Sequence, residues 1–439
     1  MNNIRKIKSI FTEISSRNNL FENIGLKIFH AGILLLAAAP SISFALILFS
    51  SFFGAINRKD RYFSNKSNWV LITTSLLMIF NCLYITINQT KFPQIDLSLI
   101  WIGILNWLPF FWCFWSFQKY LNSKRLRSEC AKFFIIGSIP VLISGFCQYF
   151  LKLYGPYRFF NNLIIWYQRP LGNDGGVSGL FNNQNYAGAW LSIIFPICLG
   201  FLFYKYKNKI NKLFNLIIVF SFIAMIVLTT SRAAVLAILI SYFLLAKYSR
   251  FKIYLFFISI ISILGFNKLI QVLSIDFYQS IFKFLPDGIP QKIESFNLSQ
   301  LDSLPRIEIW NKSILFINQS LFSGYGAGSF PKIYSQFNGS YEGIQHTHNI
   351  FLELAFNHGI VVSLLILITM ISSIVLASKK YFLENKYQTS FNVDKAWIIS
   401  FFNFLLIHLF DITYFDGRIS ILCWTLLAGL NSISKEEES

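Results

Sequence analysis

The chain reads as an all-α polytopic membrane protein of about twelve transmembrane helices, and three observations carry that reading. Hydrophobic residues fill 54% of the 439 positions and charged residues 13%, with a mean hydropathy of +0.53, a balance typical of lipid-embedded chains. Apolar runs of spanning length recur from end to end. Lysine and arginine gather in alternate connections between those runs, the signature of membrane topology.

Residues 1–24 are polar and basic, and no small-residue cleavage site follows the first apolar run. They read as a retained cytoplasmic segment rather than a signal peptide. The run 25–56 is too long for one ordinary span, and Pro40 and Ser41 divide it into two short helices. Further spans are expected at 69–88, 97–117, 131–153, 184–204, 213–229, 231–247 and 251–271. Residues 25–271 thus hold nine helices, 272–347 form one large external loop, and 348–433 hold three more spans at 348–377, 395–412 and 417–433. Residues 434–439 are a cytoplasmic tail.

Charge placement tests this count. With the N-terminus inside, the internal segments 1–24, 57–68, 118–130, 205–212, 247–252, 378–395 and 434–439 carry 24 Lys and Arg in 87 residues. The external segments 89–96, 154–183 and 272–347 carry 8 in 114. Reading 25–56 as one helix would invert every later loop and destroy the asymmetry. The net charge of +18 is therefore a topology signal, and no nucleic-acid partner is expected.

Five of the six cysteines (Cys82, Cys113, Cys147, Cys198 and Cys423) lie inside apolar runs, and Cys130 sits beside a basic loop. No disulfide framework or Cys/His zinc spacing is present. Gly324-Tyr325-Gly326-Ala327-Gly328 has the glycines of a phosphate loop without its lysine, so no nucleotide site is expected. The external acids Asp96, Asp174, Asp287, Asp302, Glu308 and Glu342 form no DxD cluster. Neither a catalytic metal nor a cofactor is expected.

Chemistry concentrates on the external side. Three of the five histidines, His346, His348 and His358, fall within thirteen residues, where the large loop enters the next span. A neutral imidazole at His348 can take a proton from a hydroxyl; the plainer role is satisfying helix-end backbone groups. Histidines at i and i+2 do not share a helical face, so His346 and His348 make a weak zinc pair. His358, further along the helix, suits packing or a polar network. Asn349 and Glu353 are placed to support His348.

Arg232 starts a helix after a tight external turn, where the helix dipole opposes a cation. A bound anion reverses that sign, because helix N-terminal amides and a guanidinium both favour phosphate; the alternative is snorkelling to lipid headgroups. Arg306, behind Ser303 and Pro305 at the start of an expected surface helix at 305–318, follows the same logic or pairs with Glu308 or Asp302. A second surface helix is expected at 276–285. In the Gly-rich segment 175–185, Asn182 and Asn185 are glycan-binding candidates, or parts of a flexible loop with a helix cap.

Taken together, these motifs resemble the O-antigen ligase family, which groups ligases with O-antigen polymerases and pilin oligosaccharyltransferases. The family signature His-[Asn/Ser/Gln]-x9-Gly-x-x-[Gly/Thr/Tyr] is matched by His348, Asn349 and Gly359 and departs at Val362. Ser231-Arg232 resembles one family arginine; Arg306-Ile307-Glu308-Ile309-Trp310 followed by Gly324-Tyr325-Gly326 resembles the other. Asn182-Asn183-Gln184-Asn185 also fits.

That resemblance implies a C-type glycosyltransferase-like fold with one large periplasmic loop, in the bacterial inner membrane. It implies metal-independent transfer of a glycan from a polyprenyl diphosphate carrier to lipid A-core, another lipid or a protein, in cell-surface polysaccharide assembly. His348 would be the general base and Arg232 and Arg306 the diphosphate ligands, with membrane lipids on either side of a lateral entrance. An O-antigen polymerase is the alternative within the family. An anion (bicarbonate) transporter is the alternative outside it, disfavoured because no inverted repeat is visible and the candidates cluster at the outer surface. The arrangement Arg-x10-Gly of some polymerases is not met, since Ile317 and Phe243 stand at those positions.

The topology has a direct test. A cysteine placed at Gln300 is expected to react with a membrane-impermeant thiol reagent from outside, and one at Gln388 is not; the reverse pattern would overturn the orientation.

Overall fold

Proline and glycine punctuate this chain, and they decide where its apolar runs break. The computed structural model describes residues 22–56, 62–91, 95–171, 175–202, 209–245, 305–337, 339–384 and 393–436. The expected span 251–271, the expected helix 276–285 and the capping Ser303 lie outside these residues. The first apolar run folds as two helices, α1 (22–35) and α2 (Pro40–Ile56). Pro40 opens α2, where its missing amide hydrogen costs nothing. The Ser43 hydroxyl donates to the Gly32 carbonyl at 2.7 Å and ties the pair together.

After α3 (Lys66–Ile87), the span expected at 97–117 is broken. It forms α4 (Leu97–Ile104), capped by Asp96, and α5 (Leu108–Phe117), with Pro109 in its first turn. Proline cannot donate to the preceding turn and crowds it sterically, so the helix restarts there. Next, α6 (Lys124–Phe150) starts earlier than the apolar run because Ser123 caps it. A short antiparallel hairpin follows, β1 (Tyr157–Phe159) and β2 (Ile164–Trp166), within a chain expected to be all helix. The Trp166 indole donates to the Ala38 carbonyl at 2.7 Å, fixing the hairpin over the α1–α2 turn.

The helices α7 (Gln184–Leu202), α8 (Lys209–Leu228) and α9 (Arg232–Leu245) match expected spans. The large loop contributes α10 (Pro305–Gln319) and α11 (Phe330–Gln336). The span expected at 348–377 is two helices, α12 (Ile350–His358) and α13 (Ile360–Glu384). Gly359 between them has φ +84° and ψ 160°, a region essentially reserved for glycine, and a Cβ there would lie 2.0 Å from the Phe322 carbonyl oxygen. Two helices close the chain, α14 (Val393–His408) and α15 (Gly417–Lys435).

Five described stretches are long and apolar enough to cross a membrane: Asn68–Ile87, Leu97–Leu121, Lys124–Phe150, Ile210–Leu228 and Ile360–Leu383. Pro40–Ile56 and Arg232–Leu245 are shorter apolar helices.

At the centre, α7 packs against α8, α9 and α14, and α15 packs against α5, α13 and α14. Both central helices are buried almost all round, with Trp190, Trp397 and Trp424 among the largest enclosed side chains. Polar side chains set the register of this core. Asn403 of α14 donates to the Ser192 carbonyl of α7 at 2.9 Å and to the Ser241 hydroxyl of α9 at 2.7 Å. A smaller cluster joins α10, α11 and α12 through Ile309, Phe316, Phe330, Tyr334 and Phe356, capping one end of the bundle. The glycines 324–328 belong to this packing rather than to a phosphate: Tyr325 and Gly326 donate their amides to the Phe356 and Asn357 carbonyls at 2.8 and 2.9 Å.

A buried ion network pins the opposite end. Arg127 of α6, fully enclosed, meets Asp394 of α14 at 2.7 Å and Glu436 just past α15, and donates to the Leu121 carbonyl at 3.0 Å. Removing one partner of a buried pair strands the other charge, at a cost of ~3–5 kcal/mol. Arg127→Met is therefore expected to lower the unfolding midpoint of the detergent-solubilised protein sharply. Arg125→Met, at an exposed position two residues earlier, is expected to leave it nearly unchanged.

Candidate functional site

Helix α12 begins one residue later than the histidine motif. Asn349 is its cap, and the side-chain oxygen accepts from the amides of Phe351 at 3.0 Å and Leu352 at 3.1 Å. The other end of the amide donates to the Leu409 carbonyl at 3.2 Å. Asn349 therefore fixes the helix end and its distance from the α14–α15 turn, and it does not hold the His348 ring. Glu353 acts one step back: it accepts from the Thr347 amide at 3.0 Å and from the Asn357 side chain at 3.0 Å.

His348 precedes the cap in a left-handed conformation, φ +56°. That twist brings its ring beside His346, with centroids 4.4 Å apart at 68°. The His348 amide donates to His346 Nδ1 at 3.3 Å. The expectation that these two rings diverge assumed a helix, and neither residue is helical.

The residue that completes the group is Asp411, in the turn 409–416 beyond the end of α14. Its Oδ1 meets His348 Nδ1 at 3.0 Å and also accepts from the Ile412 amide at 2.9 Å. Its Oδ2 accepts from the Asn185 side chain of α7 at 2.8 Å. Sequence reasoning missed Asp411 because it ends an apolar run 63 positions from its partner. The available signal was a lone acid at the end of an expected span.

Arg232 and Arg306 converge on the same place. Together with Gln184, Asn185, Thr230, Ser231 and Asp411 they line a cleft of about 260 Å³. Arg232 is delivered there by a close approach of backbones: a Cβ on Gly188 of α7 would lie 2.9 Å from Ser231 Cβ, so only glycine lets the 229–231 turn settle on α7. Asn182, Asn185, His346, His348, Asp411 and Arg169 line a second cleft of about 290 Å³. The two clefts share Asn185 and Asp411. The hydrogen bond between those side chains is the wall between guanidinium groups and imidazoles.

Asn182 and Tyr186 in turn border a third groove of about 380 Å³, with Phe44, Asn162, Tyr167, Phe415 and Arg418 on its walls. Three contiguous clefts thus cross one end of the bundle, with His348 in the middle one.

Electrostatics follow from burial and neighbours. Burial and the charge of His348 push His346 down to about 4 against the opposing pull of Asp411, so its imidazole is neutral near pH 7. Burial pushes the Asp411 carboxyl up, but the His348 hydrogen bond and the charges of His348, His346 and Arg306 outweigh it, and Asp411 stays below its ordinary range as an anion. The Arg306 charge opposes that of Arg232, a like-charge pairing that an anion between them would relieve.

Other sequence candidates lie elsewhere. His358 is enclosed at the far end of α12, away from the clefts. Glu308 is engaged with Tyr334 and the Ser340 amide rather than with Arg306. The glycines of 175–185 serve a turn whose Ser178 and Gly179 amides are bound by Gln148. For metal chemistry, His346, His348 and Asp411 each offer one donor atom within 4.8 Å of the others, a juxtaposition that spacing along the chain does not reveal.

Comparison with known proteins yields one family. No curated protein matches the chain. Residues 216–367 match the family model described as O-antigen ligase. The match contains Arg232, Arg306, His346, His348 and Gly359, and stops short of Asp411 and Asn185. Over residues 216–367, then, the chain is similar to the O-antigen ligase family.

Proposed function

We propose that the chain transfers a glycan from a polyprenyl diphosphate carrier to an acceptor hydroxyl, by direct displacement and without a metal. The observation that carries this reading is the shared wall: Arg232 and Arg306 lie on one side of the Asn185–Asp411 bond and His348 on the other. Displacement needs that separation, because leaving group and nucleophile depart from and approach the anomeric carbon on opposite faces.

Asp411 accepts a hydrogen bond from the protonated Nδ1 of His348, which leaves the lone pair on Nε2. The acceptor hydroxyl gives its proton to Nε2 as its oxygen bonds to the anomeric carbon. The bond from that carbon to the diphosphate oxygen breaks, and the electron pair leaves with the diphosphate. Two preplaced guanidinium groups meet the charge that develops there. Asp411 holds the imidazole in the required tautomer and stabilises the imidazolium, which then releases its proton to solvent.

The groove beyond Asn182 and Tyr186 suits the acceptor, since it reaches His348 from the side away from the arginines. Ligase and polymerase share this chemistry and differ in what fills that groove: lipid A-core, another lipid or protein in the first case, a carrier-linked glycan in the second. The fourfold Lys/Arg asymmetry supports a site facing the periplasm from the inner membrane.

Two outcomes are expected in an assay with purified protein and a defined polyprenyl diphosphate glycan. His348→Ala is expected to lose ~10²–10⁴-fold in turnover while still retaining donor, and Asp411→Asn to lose turnover with donor affinity kept; near-normal rates in His348→Ala would exclude it as the base. Arg232→Ala and Arg306→Ala are each expected to cost ~10²–10³-fold, with poor rescue by lysine, which lacks the planar fork. Full activity in both alanine variants would remove the diphosphate reading.

A further inference from the structure

The base mechanism leaves His346 without a task. Its ring sits against His348 and opens into the same cleft, yet transfer through Nε2 of His348 needs only Asp411. What the fold has assembled is two imidazoles and a carboxylate, one donor atom from each lying within 4.8 Å of the other two.

From that geometry we propose that His346, His348 and Asp411 form an inhibitory binding site for a divalent transition metal, Zn²⁺ above all. The donor set suits that ion: imidazole nitrogen and carboxylate oxygen are ordinary zinc ligands, and hard cations that prefer all-oxygen shells are poorly served. The three residues are partly exposed at the cleft, so an ion can enter and keep an open position for water. An outer shell exists as well. Asn185 holds the second Asp411 oxygen at 2.8 Å, and Glu353 fixes the Thr347 backbone between the two histidines. Such outer contacts orient the ligands of a metal site.

The same contacts that make His348 a base make it unavailable when metal is bound. His348 Nδ1 and Asp411 Oδ1 are 3.0 Å apart, and in the proposed base form one proton lies between them. Metal taken up at that position replaces the proton, which shifts to Nε2 of the same ring. The lone pair that would accept the hydroxyl proton is then gone. Metal and acceptor hydroxyl therefore exclude each other, and the inhibition is reversed by chelator.

The inference rests on the proposed role of His348 only for its inhibitory part; metal binding stands by itself and is measured without substrate. The experiment is titration of Zn²⁺ into the full-length, detergent-solubilised protein by calorimetry. One saturable site is expected, weakened at least ~10-fold in His346→Gln, in Asp411→Asn and in the outer-shell variant Asn185→Ala. Wild-type protein alone gives a second readout, since bound Zn²⁺ is expected to shield His346 and His348 from acylation by diethyl pyrocarbonate. Absence of saturable binding, or binding that ignores all three substitutions and leaves both histidines reactive, overturns the site. In the transfer assay, activity is expected to fall as the site fills and return with chelator; a rise in turnover with Zn²⁺ overturns the inhibitory role. A protein that binds Zn²⁺ at these residues yet transfers no glycan would refute the transfer reading and leave the metal site intact.

Discussion

One carboxylate holds the candidate site together. Asp411 accepts from His348 on one oxygen and from Asn185 on the other, and so joins the loop before α12, the start of α7 and the turn after α14. These segments are far apart in sequence, and nothing local in any of them fixes the imidazole. A charge-assisted bond is roughly twice as strong as a neutral one, and this one is largely withdrawn from water. Its rigidity depends in turn on the core beneath it, where α7 and α14 are locked together by the Asn403 amide.

That dependence explains why so many small or polar residues lie in an otherwise lipid-soluble bundle. Gly188 lets the Arg232 turn sit directly on α7. Asn403 links α7, α9 and α14, the helices that carry Asn185, Arg232 and the Asp411 turn. Within an apolar interior the two hydrogen bonds that the Asn403 amide nitrogen donates favour the one register that makes both. The arginines, His348 and Asp411 are thus positioned by a few specific bonds, while hydrophobic packing supplies bulk adhesion.

The mostly helical character of the chain was legible in the sequence because hydropathy is an additive, local signal. Pro40 split the first run as expected, since a proline acts on its own turn. The breaks at Leu105–Trp107 and Gly359 were not foreseen: Gly359 is required by the Phe322 carbonyl packed against it, a contact invisible in the chain order. For the site, Arg232, Arg306 and His348 were readable as charged or titratable groups at expected helix starts. Asp411 was not, because its meaning comes from two hydrogen bonds to distant segments. The reading of His346 and His348 as divergent failed for one physical reason, the left-handed turn at His348.

Helix α12 belongs to two bodies at once. Ile350 and Leu354 are buried in the main core, whereas Ala355 and Phe356 are buried in the cap cluster with Ile309 of α10, three residues from Arg306. The cap therefore has a mechanical linkage to the centre of the site that bypasses the clefts. Arg306 lies on α10 and so sits with the cap, whereas the turn before Arg232 rests on Gly188 of α7. The two arginines that line one cleft are thus carried by different parts of the molecule, the cap and the core.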